Sequence, residues 1–327
     1  MAEAVVIPEA LPALTLEWAA LHAALPAATP FTHPAWHETW LRHFGATTDP
    51  VFLAVRRDAQ LIGMAALDLD GNVARQLGDH NVCDYAGLLS LPGNEPAIAT
   101  AIIEWLQERS LRALELWGMP EDSPMRAAFA TAATMLHWTT EETPEAVCPV
   151  AALPADFESY VAALRKHDRH EVRRKLRHLA AAGDVTFASA TTPGDVAAGF
   201  ERFLELMRMS RDDKDEFLTP AMEAFFRDLA QTFAALGMAR LSALSLDGVA
   251  AAMVFAFENE GTTFLYNSGY DPAFAPLAAG LLSKVYAIRD SIERGKRSFD
   301  FLRGNEKYKQ DLGGVPRAVV TLRLSQG

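Results

Sequence analysis

Cysteine is nearly absent from this chain of 327 residues, which contains only Cys83 and Cys148. Two thiols are too few for a disulfide framework or for a zinc site of four cysteines. The first residues also lack a basic segment ahead of an apolar stretch, so no signal peptide is recognised. Together these absences predict a cytoplasmic protein that folds around an ordinary hydrophobic core.

Long apolar segments are missing as well. The stretch from Trp18 to His37 has no Asp, Glu, Lys or Arg, but Pro26, Pro30 and Pro34 interrupt it. A membrane-spanning helix needs about 20 continuous apolar residues, so no membrane span is predicted. Half of all residues are hydrophobic, and this content with this length predicts a globular protein of about two domains.

Positive charge is in deficit, because 30 Lys and Arg residues oppose 42 Asp and Glu residues and leave a net charge of −12. Phosphate contacts need clustered Lys and Arg, so DNA is not predicted as a partner. Two segments depart from this balance: residues 165–178 hold seven basic and two acidic residues, and residues 294–317 hold seven and three. Each segment is a candidate contact for an anionic group.

Several catalytic motifs do not occur in the sequence, namely the G-x-S-x-G elbow, the Walker A loop and G-x-G-x-x-G. Their absence argues against a serine hydrolase and a dinucleotide enzyme. His33 and His37, and likewise His167 and His170, have spacings that suit chelation on a helix. No cysteine or acidic third ligand joins either pair in a known pattern, so no metal is predicted.

One order of elements is predicted twice: three strands joined by tight turns, a loop, a helix and a closing strand. In the first copy the strands are 51–56, 61–69 and 73–77, the helix is 97–109 and the closing strand is 114–117. In the second copy the strands are 240–246, 249–258 and 263–268, the helix is 277–294 and the closing strand is 298–302. These segments follow from apolar periodicity and from the Asp-Gly turns at 70–71 and 247–248. The repetition indicates an internal duplication.

Helical segments separate the two copies. Residues 156–182 are predicted to form one helix, residues 200–207 a second, and a third begins at Pro220 after the capping residue Thr219. The stretch 144–154 is the predicted boundary, which divides the chain into domains of residues 1–150 and 151–327.

Three stretches carry a resemblance to a known family. They are Phe-Thr-His-Pro-Ala-Trp at 31–36, Arg-Arg-Lys-Leu-Arg-His-Leu at 173–179 and Phe-Asp-Phe-Leu-Arg-Gly-Asn-Glu-Lys-Tyr-Lys at 299–309. With the duplicated order, the chain resembles the GNAT acyltransferase superfamily in its doubled, FemAB-like branch, and within it the BioF2-like or CelD-like acetyltransferases. The resemblance implies an α/β (α+β) fold of two tandem GNAT-like domains, each with a mixed, mostly antiparallel sheet flanked by helices.

The resemblance also implies an activity: transfer of an acyl group, with acetyl as the first candidate, from acyl-CoA to an amine or hydroxyl. The acceptor would be a small molecule, a saccharide or a cell-envelope precursor, with peripheral contact to the envelope synthesis machinery. One alternative is a FemAB-like transferase that uses aminoacyl-tRNA. The other is a catalytically silent module that binds a saccharide or partner enzyme, because residues 276–280, Pro-Leu-Ala-Ala-Gly, lack the leading Gln or Arg of the usual CoA pyrophosphate loop.

In GNAT-like sheets two central parallel strands splay apart, and the acyl donor lies between them. The duplicated order identifies these strands as 263–268 and 298–302. Tyr266 and Asn267, at the end of the first, are the expected donor contacts, and Tyr270 is an expected substrate contact, although tyrosine in a strand also serves packing. Ala279 and Gly280 begin the following helix, whose amides suit a phosphate. The first domain has no such loop near residues 92–96 and is expected to be non-catalytic.

Candidate catalytic residues lie on the closing strand of the second copy and just after it. Asp300 and Glu306 are alternative general bases. The alternative role of Asp300 is structural: it would anchor a neighbouring loop through hydrogen bonds to the backbone. Tyr308 is a possible general acid or wall of the cleft. Lys309 is expected to point into the cleft and stabilise a phosphate or an oxyanion.

Substrate contacts are expected from three further residues. Arg303 and Asn305 lie in the same polar segment, and Arg173 belongs to the basic segment, whose alternative is an ordinary solvated face. Residues 208–214, which include Arg211, form a polar stretch that either covers the cleft or is plain surface.

Overall fold

The computed structural model describes residues 3–85, 87–210 and 212–326, without the side chains of residues 212–214. The strands are β1 (Val5–Pro8), β2 (Pro50–Arg57), β3 (Gln60–Asp70), β4 (Val73–Gln76), β5 (Leu88–Ser90), β6 (Ala113–Pro120), β7 (Trp138–Val147), β8 (Val150–Ala152), β9 (Val185–Ala190), β10 (Ala239–Leu246), β11 (Val249–Glu258), β12 (Thr262–Tyr270), β13 (Ser298–Asp300) and β14 (Ala318–Gln326). The helices are α1 (Leu11–Ala23), α2 (Pro34–Phe44), α3 (Glu95–Glu108), α4 (Pro124–Met135), α5 (Phe157–Ala163), α6 (Lys166–Ala182), α7 (Pro193–Ser210), α8 (Asp212–Phe217), α9 (Pro220–Ala235), α10 (Ala279–Glu293) and α11 (Lys307–Asp311).

The chain divides into two units. Unit 1 comprises Met1–Val147 with Arg317–Gly327, and unit 2 comprises Cys148–Pro316. The break near residue 148 lies within the predicted boundary region. The chain end, however, belongs to unit 1, whereas the sequence-based division placed it in the second domain, because β14 lies between β6 and β7 of the first sheet.

The sheet of unit 1 has the order β1-β2-β3-β4-β6-β14-β7, and β5 pairs with β3. Its pairs are antiparallel except for β4 and β6, which run parallel. The predicted apolar face of α3 is buried: Ile98, Ile102 and Trp105 belong to one core with the strand residues Leu53 and Leu114. This burial of apolar area is what holds α3 on the sheet.

The sheet of unit 2 has the order β8-β13-β12-β11-β10-β9, with β12 and β13 as its parallel pair. Val254 on β11 belongs to the core that α10 completes with Leu282 and Ile288. The next residue, Phe255, instead contacts Phe200 of α7. Successive strand residues face opposite sides, so α10 and α7 cover opposite faces of this sheet. The predicted mixed, mostly antiparallel sheets flanked by helices are confirmed.

The single helix predicted over 156–182 is wrong. Leu164 and Arg165 have extended backbone with ψ near 150°, and they separate α5 from α6. Leu164 is buried in the same core as Val161 and Val172. A continuous helix would keep these residues on one straight stripe, whereas the bend lets both helices reach one core.

Three histidines form a buried cluster in unit 1. The rings of His22 and His33 lie 4.9 Å apart, and that of His37 lies 5.1 Å from Trp18. His33 Nδ1 accepts a hydrogen bond from the Ala35 N–H and so caps α2. Burial, with a smaller effect of neighbouring histidines, lowers the pKa of His33 to about 4 and the pKa of His37 to about 3.

Acid is therefore expected to destabilise unit 1 well above the usual range of carboxyl titration. An unfolded histidine binds its proton near pH 6.5, whereas the depressed pKa values keep these two neutral in the folded state. From about pH 6.5 down to about pH 4 the unfolded state binds more protons, so each histidine removes up to about 1.4 kcal/mol of unfolding free energy per pH unit. Above pH 6.5 this contribution is constant.

Urea denaturation between pH 7.5 and 4.5 measures this dependence. Since all six tryptophans lie in unit 1, tryptophan fluorescence reports its unfolding. His37→Gln should flatten the pH dependence, whereas His178→Gln, at an exposed position of α6, should not. Parallel curves for all three proteins would contradict this assignment.

Candidate active site

The two central strands of unit 2 separate after a short parallel contact. Residues 262–264 pair with residues 298–300, and β13 then ends. β12 continues to Tyr270. From Leu265 onward, among the residues that the structure describes, β12 has no strand partner on this side. We call this side the open edge.

β12 contains a bulge where the open edge begins. Asn267 faces Phe255 on β11, and Leu265 faces Ala256, so Tyr266 is the extra residue. Its ring packs among the rings of Phe226, Phe255 and Phe257. A bulge bends its strand and changes the direction of nearby groups. Here it comes just before the residues of β12 whose backbone faces the open edge.

Two residues direct their backbone groups toward the open edge. The N–H of Asp271 donates to the carbonyl of Ala251 on the β11 side. Because backbone groups alternate along a strand, those of Ser268 and Tyr270 point away from β11. The Ser268 N–H donates to Asn267 Oδ1 at 2.9 Å. A backbone N–H in this position has the geometry to bind a carbonyl oxygen inserted between the strands.

A cavity of about 390 Å³ adjoins the open edge. It is lined by Ser210 at the end of α7, by Ser268 and Tyr270 of β12, by Ala275, Ala278, Gly280, Leu281 and Lys284 around the start of α10, and by Glu306 and Tyr308 after β13. Its volume is typical of small-molecule sites, which combine apolar walls with a few convergent polar groups. The convergent groups here are two phenols, two hydroxyls, a carboxyl and an ammonium.

The wall formed by α10 depends on a close approach of two elements. A Cβ added to Gly280 would lie 2.9 Å from the Tyr270 ring, so glycine allows the ring to rest on the first turn of the helix. Ala278, with a φ of 56°, ends a 3₁₀ turn and starts α10. Gly280 lines the cavity as a result, whereas Ala279 is fully buried.

Lys284 is a site residue that the sequence did not reveal. Its side chain is only 7% exposed. Its Nζ donates to the Gly280 carbonyl at 2.7 Å and lies 5.7 Å from the centre of the Tyr308 ring. A lysine on an amphipathic helix usually indicates surface, and no sequence signal distinguished this one. Ser210 and Ser268 also line the cavity, and no pattern in the sequence pointed to either.

Asp300 and Lys309 hold the turn behind the cavity wall. Asp300 Oδ1 accepts a hydrogen bond from the Leu302 N–H at 2.8 Å, and Leu302 has a left-handed φ of 55°. Lys309 Nζ donates to the carbonyls of Leu302, at 3.1 Å, and Arg303, at 2.6 Å. Both side chains are almost fully buried, at 4% and 2% exposure, and neither is among the lining residues.

The Lys309 ammonium also fixes the carboxylate that lines the cavity. Its Nζ lies 3.0 Å from Glu306 Oε2. Gly304 passes close to both groups, since a Cβ there would lie 2.2 Å from Glu306 Oε2 and 2.8 Å from Lys309 Nζ. Glycine at this position therefore lets the turn close around the ion pair. The pair sets the position of Glu306 at the start of α11.

The remaining predicted residues lie outside the lining. Tyr266 is in the aromatic cluster described above, and Arg303 is half-buried with its carbonyl bound by Lys309. Asn305 is exposed and accepts a hydrogen bond from Gln310. Arg173 is exposed and pairs with Glu158. Asn267 is not among the lining residues, and its side-chain oxygen accepts the Ser268 N–H at the open edge. Arg211 lies outside the described residues.

The described residues contain neither a metal-binding cluster nor a helix suited to a membrane. No group of three or more His, Cys, Asp or Glu side chains is placed to hold a metal ion there. None of the helices in the described ranges has the length and apolar character needed to cross a membrane.

Comparisons with known proteins agree with this architecture. Residues 166–310 match the family model of the acetyltransferase (GNAT) domain. No curated protein matches the chain. Among solved structures, FemX superposes with a TM-score of 0.70 at 12% identity over 96% of each chain. The tandem GNAT protein of the clavulanic acid biosynthesis pathway superposes with a TM-score of 0.51 at 15% identity, covering 99% of this chain and 98% of that one.

A third similar structure is L-PGS of Bacillus licheniformis, with a TM-score of 0.56 at 11% identity, covering 90% of this chain and 92% of that one. At such low identities the superpositions show the fold alone. The family match shows a GNAT domain within unit 2. The open edge and all residues that line its cavity lie within the matched segment. Residues 166–310 therefore match a GNAT acetyltransferase domain, which indicates a transferase, and the chain as a whole has a fold similar to those of FemX and of the tandem GNAT protein.

Proposed function

We propose that unit 2 transfers an acyl group, with acetyl as the simplest case, from acyl-CoA to an amine or hydroxyl of a saccharide or a cell-envelope precursor. The observation that carries the proposal is the open edge of β12, where the Ser268 N–H meets a cavity that also contains Glu306 and Tyr308. The arrangement offers one group for each requirement of acyl transfer: carbonyl polarisation, a base and an acid.

The proposed reaction uses these groups in sequence. The Ser268 N–H binds the thioester oxygen, and the acceptor nitrogen or oxygen attacks the carbonyl carbon. Glu306 takes the proton that the acceptor loses, a new C–N or C–O bond forms, and the C–S bond breaks. The Tyr308 phenol donates its proton to the departing thiolate. Asp300 and Lys309 serve in this account as positioning residues for the turn that carries Glu306.

Binding of the donor would involve the remaining cavity groups. Tyr270 and Gly280 form the wall beside the open edge, and Lys284 places a positive charge near the first turn of α10. Both features suit a thioester that is attached to a phosphate-bearing carrier. Because the cavity and the family match both lie in unit 2, we propose that unit 1 takes no part in the chemistry.

A second candidate is transfer of an aminoacyl group from aminoacyl-tRNA. It is favoured by the basic residues of α6 that remain exposed, Lys166, Arg173, Arg174 and Arg177. Arg173 and Arg174 are already paired with Glu158 and Glu171, which leaves two cations for phosphate contacts on this face. A macromolecular polyanion usually meets more than that, so acyl-CoA is the first candidate.

A donor panel tests the two candidates. The full-length chain is titrated in a thermal-shift assay with acetyl-CoA, desulfo-CoA, aminoacyl-tRNA and UDP-sugars, and then assayed for transfer of labelled acetyl to mixed saccharide acceptors. We expect stabilisation by acetyl-CoA, since a ligand at 100 times its Kd adds about 2.7 kcal/mol. Stabilisation by aminoacyl-tRNA alone would favour the second candidate. Stabilisation by a sugar alone would identify a silent binding module.

A further inference from the structure

The backbone donor at the open edge is covered by a side chain of the same strand. Asn267 Oδ1 accepts the hydrogen bond of the Ser268 N–H at 2.9 Å. Asn267 follows the bulged Tyr266, and both Asn267 and Ser268 are partly accessible. The atom that holds this N–H is thus an amide oxygen, which is chemically the same kind of acceptor as the carbonyl of an acyl donor.

We infer that Asn267 is a displaceable cap on the acyl-binding amide and that it lowers the preference for acyl-CoA over free CoA. The inference rests on the proposed function, because it takes the Ser268 N–H as the group that binds the thioester oxygen. In the free protein the cap satisfies a donor at the open edge. When the thioester enters, its oxygen takes the hydrogen bond and the Asn267 side chain turns aside.

The exchange limits the selectivity for the thioester over free CoA. An arriving thioester replaces one carbonyl acceptor with another, so the number of hydrogen bonds to Ser268 is unchanged. Free CoA carries a thiol and no acyl carbonyl, and it leaves the cap in place. The cap therefore weakens the binding of acyl-CoA and leaves the affinity for free CoA unaffected.

The cap is specified by position rather than by residue type alone. Backbone alternation directs only Ser268 and Tyr270 toward the open edge, and Ser268 is the nearer of the two to the bulge. A side chain at 267 that lacks an acceptor leaves this N–H to water. A carboxylate at 267 holds it more tightly, because charge-assisted hydrogen bonds are about twice as strong as neutral ones.

Two substitutions with opposite expected effects test the inference. Calorimetric titration of acetyl-CoA and of CoA gives the ratio of their Kd values for the natural chain, Asn267→Ala and Asn267→Asp. We expect the alanine variant to bind acetyl-CoA about three- to tenfold more tightly with CoA unchanged, since a competing neutral hydrogen bond of about 1 kcal/mol is gone. The aspartate variant should lower the preference for acetyl-CoA by a similar factor.

The outcomes separate the inference from the proposed function. If the natural chain binds neither acetyl-CoA nor CoA, the proposed donor is wrong and the inference falls with it. If the natural chain binds acetyl-CoA but the ratio is the same in all three proteins, or moves in the same direction in both variants, Asn267 is not a cap and the proposed function stands. Melting curves of both variants, together with their unchanged binding of CoA, establish that the site has folded.

Discussion

Glu306→Gln is expected to lower kcat for acyl transfer by about 10²–10³-fold, because a positioned general base contributes about 10²–10⁴-fold. The glutamine retains an oxygen for the Lys309 ammonium but cannot accept the proton of the acceptor. KM for the donor should change little, since the carboxylate acts on the acceptor. Steady-state kinetics with acetyl-CoA and the identified acceptor measures both constants.

The matched control for this variant is Lys307→Gln. Lys307 is the next residue, is 79% exposed and pairs only with Asp311 among the ion pairs described. Its replacement should leave kcat within a factor of two. If Glu306→Gln retains more than half of the natural kcat, or if both variants lose activity equally, Glu306 is not the base.

Lys309→Ala should destabilise unit 2 as well as inactivate it. The sequence predicted that Lys309 points into the cleft. The structure instead buries the ammonium against two carbonyls and Glu306. Glu306 is 44% exposed and can be solvated, but the carbonyls of Leu302 and Arg303 lose the ammonium donor, at about 1–3 kcal/mol for each. For a unit of this size the melting temperature should fall by roughly 10 °C.

Differential scanning calorimetry of the full-length chain measures this shift. Lys309→Met keeps most of the side-chain volume, so it isolates the loss of the ammonium, and it should be destabilised nearly as much as the alanine variant. Lys307→Ala should shift the transition by less than about 2 °C, since exposed pairs contribute about 0–1 kcal/mol. A melting temperature that is unchanged in both Lys309 variants would mean that the turn does not depend on this ammonium.

Local patterns predicted the elements that local forces determine. The strand predicted over 249–258 coincides with β11, and the Asp-Gly turn at 247–248 joins it to β10. The helix predicted to begin at Pro220 after Thr219 does so, with the Thr219 hydroxyl accepting the Met222 N–H. In these cases the periodicity, the turn residue and the cap act within a few residues of one another.

Contacts between distant parts of the chain were not predictable in the same way. β14 alternates buried residues such as Leu322 and Leu324 with the exposed Arg323, which is a strand pattern. Nothing in that pattern identifies its partners, β6 and β7, which lie far earlier in the chain. β8 likewise pairs with β13 across a long separation. Partner choice in a sheet depends on the whole core, so neither assignment could be made from the sequence.

The candidate site shows the same difference between features that a local motif predicts and features that depend on distant contacts. The motif after β13 identified Glu306 and Tyr308, and both line the cavity. The direction of the Lys309 side chain depends on the left-handed backbone of Leu302. A leucine in the sequence gives no sign of that conformation. Lys284 becomes a site residue only because the segment of Tyr308 packs over the first turns of α10. Residue type was therefore informative where a motif existed, and orientation required the structure.

The central claim is that an acyl donor binds at the open edge of β12 in unit 2. A crystal structure of the full-length chain with acetyl-CoA at a saturating concentration tests it most directly. We expect the thioester oxygen at about 3 Å from the Ser268 nitrogen, with the sulfur near the Tyr308 hydroxyl and the Asn267 side chain turned away. An acetyl group bound at any other part of the chain, or a cavity that remains without acetyl-CoA at that concentration, would contradict the account.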